Sequence, residues 1–378
     1  MAGIYLHIPF CKRRCIYCDF YSTTMEKRKD EYISALCREL SLRKDYLGNE
    51  NIQTVYWGGG TPSQLDERHF RQVFDTLEKH YSLQNDAEIT LEANPDDLTP
   101  TYADMLQRLP FNRISIGIQT FNDDTLQLLR RRHNAAQAID AVKRCQDAGF
   151  GNISIDLMYG LPKESLDSWE NDLHQAVDLH VQHMSAYHLI YEEGTELWKL
   201  RQHHQVEEID EDSSVAFFNL LIDTLHEAGF EHYEISNFAL PGMYSRHNSS
   251  YWDGTKYMGC GAAAHSYNGT SRQWNVASLE RYIKGIKEGE ICHESETLDL
   301  YTRYNDRIVT AIRTSKGLQL ATLKEEFGQE LYDFCLENAR PYLAQGTLVL
   351  DNGRLHLTRD GLFISDGIMS DLLWVDEA

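Results

Sequence analysis

Three cysteines within the first twenty residues, MAGIYLHIPFCKRRCIYCDF, constrain this chain more than any other feature. Cys11, Cys15 and Cys18 are separated by three residues and then by two, and they follow a short apolar strand, Ile4 to Ile8. A loop this tight can point three thiolates at one small centre, but near neighbours rarely reach the Cβ geometry of a disulfide. Zinc wants a fourth ligand, usually from a second Cys-x-x-Cys or a His pair at set spacing. The next cysteine, Cys37, lies well down an expected helix, and His7 lies on the strand. Three thiolates with no obvious fourth ligand suit a cubane four-iron, four-sulfur (4Fe–4S) cluster with one iron left open. Lys12, Arg13 and Arg14 are expected to offset thiolate charge and favour deprotonation. Phe10, Tyr17 and Phe20 are expected to cover the cluster against solvent.

With 378 residues the chain can hold one large α/β domain and a smaller appendage. Its 36 basic and 58 acidic residues leave a net charge of −22. That argues against a general nucleic-acid surface and against docking on anionic lipid. No run approaches the ~18 apolar residues of a membrane span, and the start lacks the pattern of a secretion signal. Eight cysteines without a paired framework fit a reducing, cytoplasmic setting.

Downstream, strand and helix alternate. Residues 26–47 carry Tyr32, Ile33, Leu36 and Leu40 at helical spacing. A strand over 52–57 runs into Gly58-Gly59-Gly60-Thr61. Glycines there let backbone amides approach a ligand, and a helix over 66–81 places its positive end nearby. Strands over 88–93, 113–118, 152–158 and 183–190 follow, separated by helices over 102–109, 123–130, 135–148 and 166–179. Six such units predict a parallel sheet whose function gathers at the C-terminal strand ends. Six are too few for an eightfold barrel, so a partial (β/α)6 barrel over residues 1–240 is expected. Glu92, Gln119 and Asp156 end strands on its rim, each explicable singly as a turn residue. In LLRRRHN any of the neighbours Arg130, Arg131 and Arg132 offers a paired charge to a carboxylate.

Beyond the barrel, residues 207–228 read as an amphipathic helix. Ser245 to Trp252 (SRHNSSYW) is expected to be an exposed turn. Two uses fit it: His247 as a haem iron ligand beside the flat rings of Tyr251 and Trp252, or a histidine that hydrogen-bonds a loop while the aromatics fill core. The small-residue stretch 259–266 is expected to pack tightly at the barrel mouth, with Cys260 an inert core thiol and His265 near the adenine of any bound nucleoside cofactor. Helices over 279–286, 300–313, 317–327 and 331–343, a hairpin across Asp351-Asn352-Gly353 and a last helix over 360–373 make a winged-helix-like second domain, 241–378. Its acidic residues, among them Glu325, Glu326 and Glu330, oppose DNA binding.

Cys-x3-Cys-x2-Cys after a first strand, followed by a glycine-rich second strand end, resembles the radical S-adenosylmethionine (SAM) proteins. The resemblance implies that the open iron is chelated by SAM. It also implies that Tyr5, Tyr17, Gly59, Gly60, Thr61, Glu92, Gln119, Arg131 and Asp156 contact SAM, the glycines at its amino group and Arg131 at its carboxylate. Tyr-Leu-His-Ile-Pro-Phe-Cys and His-Asn-x-x-Tyr-Trp are similar to the HemW haem chaperones, which implies haem contacts at His247, Asn248, Tyr251 and Trp252, and an acceptor haem protein as partner. The neighbouring coproporphyrinogen III dehydrogenases carry a further cysteine where Phe20 stands and an N-terminal extension, whereas Cys11 here follows only ten residues. Haem carriage is therefore expected, with radical chemistry on a porphyrinogen as the alternative.

Overall fold

The inner and outer faces of the barrel strands are decided by strict alternation. In the computed structural model, which describes residues 1–375, six strands lie parallel in chain order. They are β1 (Ala2–Ile8), β2 (Ile52–Gly59), β3 (Leu83–Ala93), β4 (Arg113–Gln119), β5 (Ile153–Tyr159) and β6 (His183–His188). Register pairs Leu6 with Trp57, Trp57 with Leu91, Leu91 with Ile114 and Ile114 with Ile153. This apolar face is buried under α1 (Lys29–Leu42), α2 (Glu67–His80), α3 (Pro100–Gln107), α5 (Ala135–Asp147) and α6 (Leu166–Asp178), while the short α4 (Asp123–Leu128) lies in the connection between β4 and α5. The intervening residues face inward and are polar: Tyr5 pairs with Tyr56, Tyr56 with Thr90, Thr90 with Arg113, and Ser154 with His183. Strands of a parallel sheet usually read as unbroken apolar runs because helices cover both faces. Here the sheet curls on itself, and its inner face becomes a polar lumen.

Local chemistry sets the helices. Asp66 caps α2 in a capping box with His69, and Phe70, Val73, Phe74 and Leu77 form one apolar stripe. That stripe meets Trp57 edge-on, 5.2 Å from the Phe70 ring.

After α7 (Glu196–Gln202) and α8 (Glu211–Glu227), β7 (Glu231–Glu234) and β8 (Asn237–Ala239) extend the sheet beyond β6. The chain then crosses through α9 (Arg246–Asp253) to β9 (Lys256–Cys260), which runs parallel to β1 at the opposite side of the sheet. The expected boundary near residue 240 therefore falls inside the sheet: a seventh parallel strand comes from the segment assigned to the second domain. β10 (His265–Tyr267), β11 (Ser271–Asn275) and, after α10 (Leu279–Glu288), β12 (His293–Thr297) continue that wing antiparallel.

The wing is held by a buried acid on α1. Glu39 is fully buried and accepts hydrogen bonds from Tyr282 Oη (2.7 Å), the Gly261 amide (2.8 Å) and Asn275 Nδ2 (2.7 Å). Arg43, one turn on, pairs with it at 3.2 Å and donates to the Gly259 carbonyl at 2.7 Å. At Gly261 (φ 109°) a Cβ would lie 2.4 Å from the Tyr32 hydroxyl, so the small-residue stretch does pack tightly. Cys260 beside it is a buried core thiol.

A second, smaller core centres on Tyr304, Ile308, Leu331, Leu355 and Leu372. It is built by α11 (Leu300–Ile312), β13 (Leu318–Gln319), α12 (Leu320–Gln345), β14 (Leu348–Asp351), β15 (Arg354–Leu357), α13 (Arg359–Leu362) and α14 (Ser365–Asp371). Gly328, at φ 85°, breaks α12 where two helices were expected. The expected last helix is divided between α13 and α14, and the end of the expected domain, 376–378, lies outside the described residues. Among the described residues no helix is long and apolar enough to cross a membrane.

Candidate functional site

All eight cysteines are free thiols. Cys11 is buried and 3.3 Å from Thr61 Oγ1, so the residue after the triple glycine touches the cysteine loop directly. Cys15 is half-buried and receives a 3.5 Å contact from Arg131 Nη1. Among the described residues no three metal-ligating side chains are already gathered into a coordinating set. The loop nevertheless holds three reduced thiols within electrostatic reach of one another, and the buried Arg131 Nε beside them has no hydrogen-bond partner. This donor set fits an iron–sulfur cluster.

The expected charge balance is corrected. Lys12 pairs with Asp97 at 3.2 Å, and Arg13 and Arg14 point to solvent. Burial raises the Cys11 thiol above its ordinary range and pushes Cys18 up to about 11. Arg131 is the cation that touches the loop, through Cys15 Sγ. Its neighbours are occupied elsewhere, Arg130 with Glu196 on the surface and Arg132 with Asp96 at 2.8 Å and Asp97 at 3.1 Å. Arg131 also donates to Asn94 Oδ1 at 2.9 Å and to the Gly117 carbonyl. The aromatic cover is corrected too. Phe10 is core, edge-on to Tyr32, while Phe20 is 65% exposed. Tyr17 alone of the three packs in the small cluster that contains Ile16 and Leu129.

Gly59 and Gly60 are required for packing as well as for access. A Cβ on Gly59 (φ 108°) would fall 2.5 Å from the His7 ring, and one on Gly60 2.7 Å from the Pro9 backbone. The Gly59 amide donates to Glu92 Oε2 at 3.1 Å, and Tyr56 Oη donates to Glu92 Oε1 at 2.7 Å. His7 has one tautomer: its Nε2–H donates to the Tyr21 carbonyl (2.9 Å), leaving Nδ1 to accept from Tyr5 Oη (3.1 Å). Asp156 faces Ser115 Oγ at 3.4 Å, and Gln119 takes the left-handed backbone, φ 74°. Glu92 and Asp156 thus share the upper lumen with a residue that motif spacing did not single out, Arg113. Arg113 is 1% exposed, and its Nε lacks a partner. The signal for it was alternation, since Arg113, Ser115 and Gly117 share a face opposite Ile114, Ile116 and Ile118.

Burial, aided by the Asp156 charge, pushes Glu92 up to about 7 against its hydrogen bonds. The folded chain therefore holds this proton where the unfolded chain has lost it, and stability falls as pH rises from the ordinary carboxylate range to about 7. Glu92→Gln should flatten that decline in melting temperature between about pH 5 and 8. An unchanged slope would show the carboxylate ionised throughout.

The SRHNSSYW segment is not an exposed turn. It forms α9, capped by Ser245, with the Arg246 and His247 amides both donating to the Glu88 carboxylate at 3.0 Å. His247 is 1% exposed. Its Nδ1 meets Thr54 Oγ1 at 2.8 Å, its Nε2 meets Tyr251 Oη at 2.9 Å, and its ring stacks on Tyr56. Burial and then Arg113 lower it to about 3, so the imidazole is neutral. Tyr251 packs edge-on to Tyr257, and Arg313 lies 4.2 Å over the Trp252 ring. Asn248 is half-buried in the first turn of α9. Tyr251 and Trp252 wall a cavity of about 970 Å³ that reaches Tyr5, His7 and Phe20 on one side and α11 on the other. His265 lies on its wall, stacked against Trp274.

Comparison with known proteins gives the family and the fold. The radical SAM superfamily matches residues 5–176, and the HemN C-terminal domain matches residues 298–364. A Bacillus subtilis protein named Heme chaperone HemW is 31% identical over 99% of both chains. Its Mycobacterium tuberculosis namesake is 34% identical over 98% of this chain and 94% of that one. A Mus musculus protein named Radical S-adenosyl methionine domain-containing protein 1, mitochondrial, is 30% identical over 98% of this chain and 87% of its own. In fold, coproporphyrinogen III oxidase (HemN) from Escherichia coli superposes with a TM-score of 0.85 at 21% identity, covering 98% of this chain and 89% of that one. The chain belongs to the radical SAM superfamily, in the family of proteins named heme chaperone HemW.

Proposed function

We propose that this chain binds haem in the cavity between barrel and second domain and passes it to an acceptor haem protein, while carrying a cluster and SAM beside it. Cys11, Cys15 and Cys18 would hold the cluster, whose open iron supplies a chelation point for SAM. Tyr5, Tyr17, Gly59, Gly60, Thr61, Glu92, Gln119, Arg131 and Asp156 would bind and orient SAM around it. Arg131 offsets the charge of Cys15 and offers its remaining hydrogens to a carboxylate. The observation that carries the haem reading is the pairing of His247 with Tyr251. A neutral, fully buried imidazole fixes the ring that walls a cavity large enough for a tetrapyrrole. His247 in this reading orients the haem wall through Tyr251, with Trp252 and Asn248 completing that helix face.

Anaerobic haem titration of the cluster-reconstituted protein tests it. Saturable binding near one haem per chain is expected, weakened about tenfold by His247→Ala and several-fold by Tyr251→Phe, which removes a single buried hydrogen bond. Absence of saturable binding, or binding indifferent to both changes, would make hydrogen abstraction from a porphyrinogen the leading reading.

A further inference from the structure

We infer that haem lies in this cavity with its acid edge on α11, its two carboxylates taken by Arg303 and Arg307, and its iron facing the imidazole of His265. The inference rests on the haem reading above. Arg303 and Arg307 stand one turn apart on α11, which puts their Cβ atoms about 5–6 Å from each other, a spacing suited to two carboxylates projecting from one edge of a macrocycle. Both line the cavity. The Arg303 guanidinium has no ion pair or hydrogen bond with any described residue. Arg307 is balanced by Glu326 at 3.2 Å, and Arg272 by Asp306 and, at 3.4 Å, Glu296. The remaining acid on the wall, Asp19, belongs to the cysteine loop on the other side. In a chain of net charge −22, a dianionic ligand is repelled on average, so an arginine that faces a cavity with no direct ion pair among the described residues, the acid near it being Asp299 one turn back at the N-cap of α11, is a local device for admitting it.

His265 is placed to meet the centre of such a ligand. β10 and β11 pair His265 with Trp274 and Tyr267 with Arg272, so one face of this ribbon carries imidazole, phenol and guanidinium together. The His265 ring stacks on Trp274 and makes no side-chain hydrogen bond within the described residues. Burial and the Arg272 charge lower its protonation, leaving a nitrogen lone pair free. His247, by contrast, has both nitrogens engaged.

The test compares haem, haem dimethyl ester and iron-free protoporphyrin IX on the full-length reconstituted protein, followed by Soret absorbance. Arg303→Gln should weaken haem about tenfold, and the ester should bind the unchanged protein about as weakly as haem binds that variant. His265→Ala should shift the ferric Soret band while leaving protoporphyrin affinity unchanged. Because the Arg303 side chain makes no direct ion pair or hydrogen bond with the described residues, Arg303→Gln leaves the fold intact, and an unchanged melting temperature checks this. Saturable haem binding with no preference over the ester, or a Soret band that moves only in His247→Ala, would overturn the inference while leaving haem carriage standing. No haem binding by the unchanged protein would overturn both.

Discussion

Replacing Glu39 with alanine is expected to cost about 3–5 kcal/mol of stability, because it removes one member of a buried ion pair and strands the other. Arg43 is only 6% exposed and would keep the Gly259 carbonyl, Ser266 (3.0 Å) and Gln273 (3.1 Å) but lose its counter-charge. Two further donors, Tyr282 Oη and the Gly261 amide, would be buried without an acceptor, and Asn275 Nδ2 would keep only the Gly261 carbonyl at 2.9 Å. These groups lie on α10, β11 and the turn after β9, so the change loosens the attachment of the whole wing to α1. Urea denaturation of the two proteins measures it. Glu39→Gln, which keeps a carbonyl acceptor, should lose less. A loss below about 1 kcal/mol for the alanine variant would mean that water reaches the site and solvates Arg43.

Replacing Cys15 with alanine is expected to abolish the visible absorbance of the reconstituted iron–sulfur cluster, whereas Cys37→Ala should retain it. Three thiols ligate three irons of a four-iron cluster and leave one open, so losing one leaves two irons unligated by the protein. The contact from Arg131 Nη1 to Cys15 Sγ at 3.5 Å makes this the thiol with a dedicated cation. Cys37, by comparison, hydrogen-bonds the Gln72 carbonyl between α1 and α2. A full four-iron signal in the Cys15 variant would sink the assignment of that loop.

Features that depend on short spacing are legible in the amino-acid order alone. The cysteine loop, the triple glycine and the strand–helix rhythm each need only a few neighbouring residues to be recognised, and the fold contains all three. Even the break at Gly328 follows from local order, since a glycine between two apolar-periodic stretches interrupts a helix. Misreadings arose where the partner was distant. SRHNSSYW reads as an exposed turn in the sequence, yet Glu88, 159 residues away from His247, holds its first turn as a helix. Thr54, 193 residues away, then draws the imidazole into the barrel floor. Phe10 and Phe20 could not be told apart by composition, and one is core while the other faces the cavity.

The sequence by itself determined the period-two alternation of the barrel strands and the local thiol spacing, because the side-chain direction along a strand and the reach of a short loop follow from backbone geometry alone. Which of three adjacent arginines touches the cysteine loop was decided only in three dimensions. Arg130, Arg131 and Arg132 are chemically identical and differ solely in what lies across from them: Glu196, the Cys15 thiol with Asn94, and the Asp96–Asp97 pair. Those partners come from separate segments, so folding alone gives one arginine its place at the site.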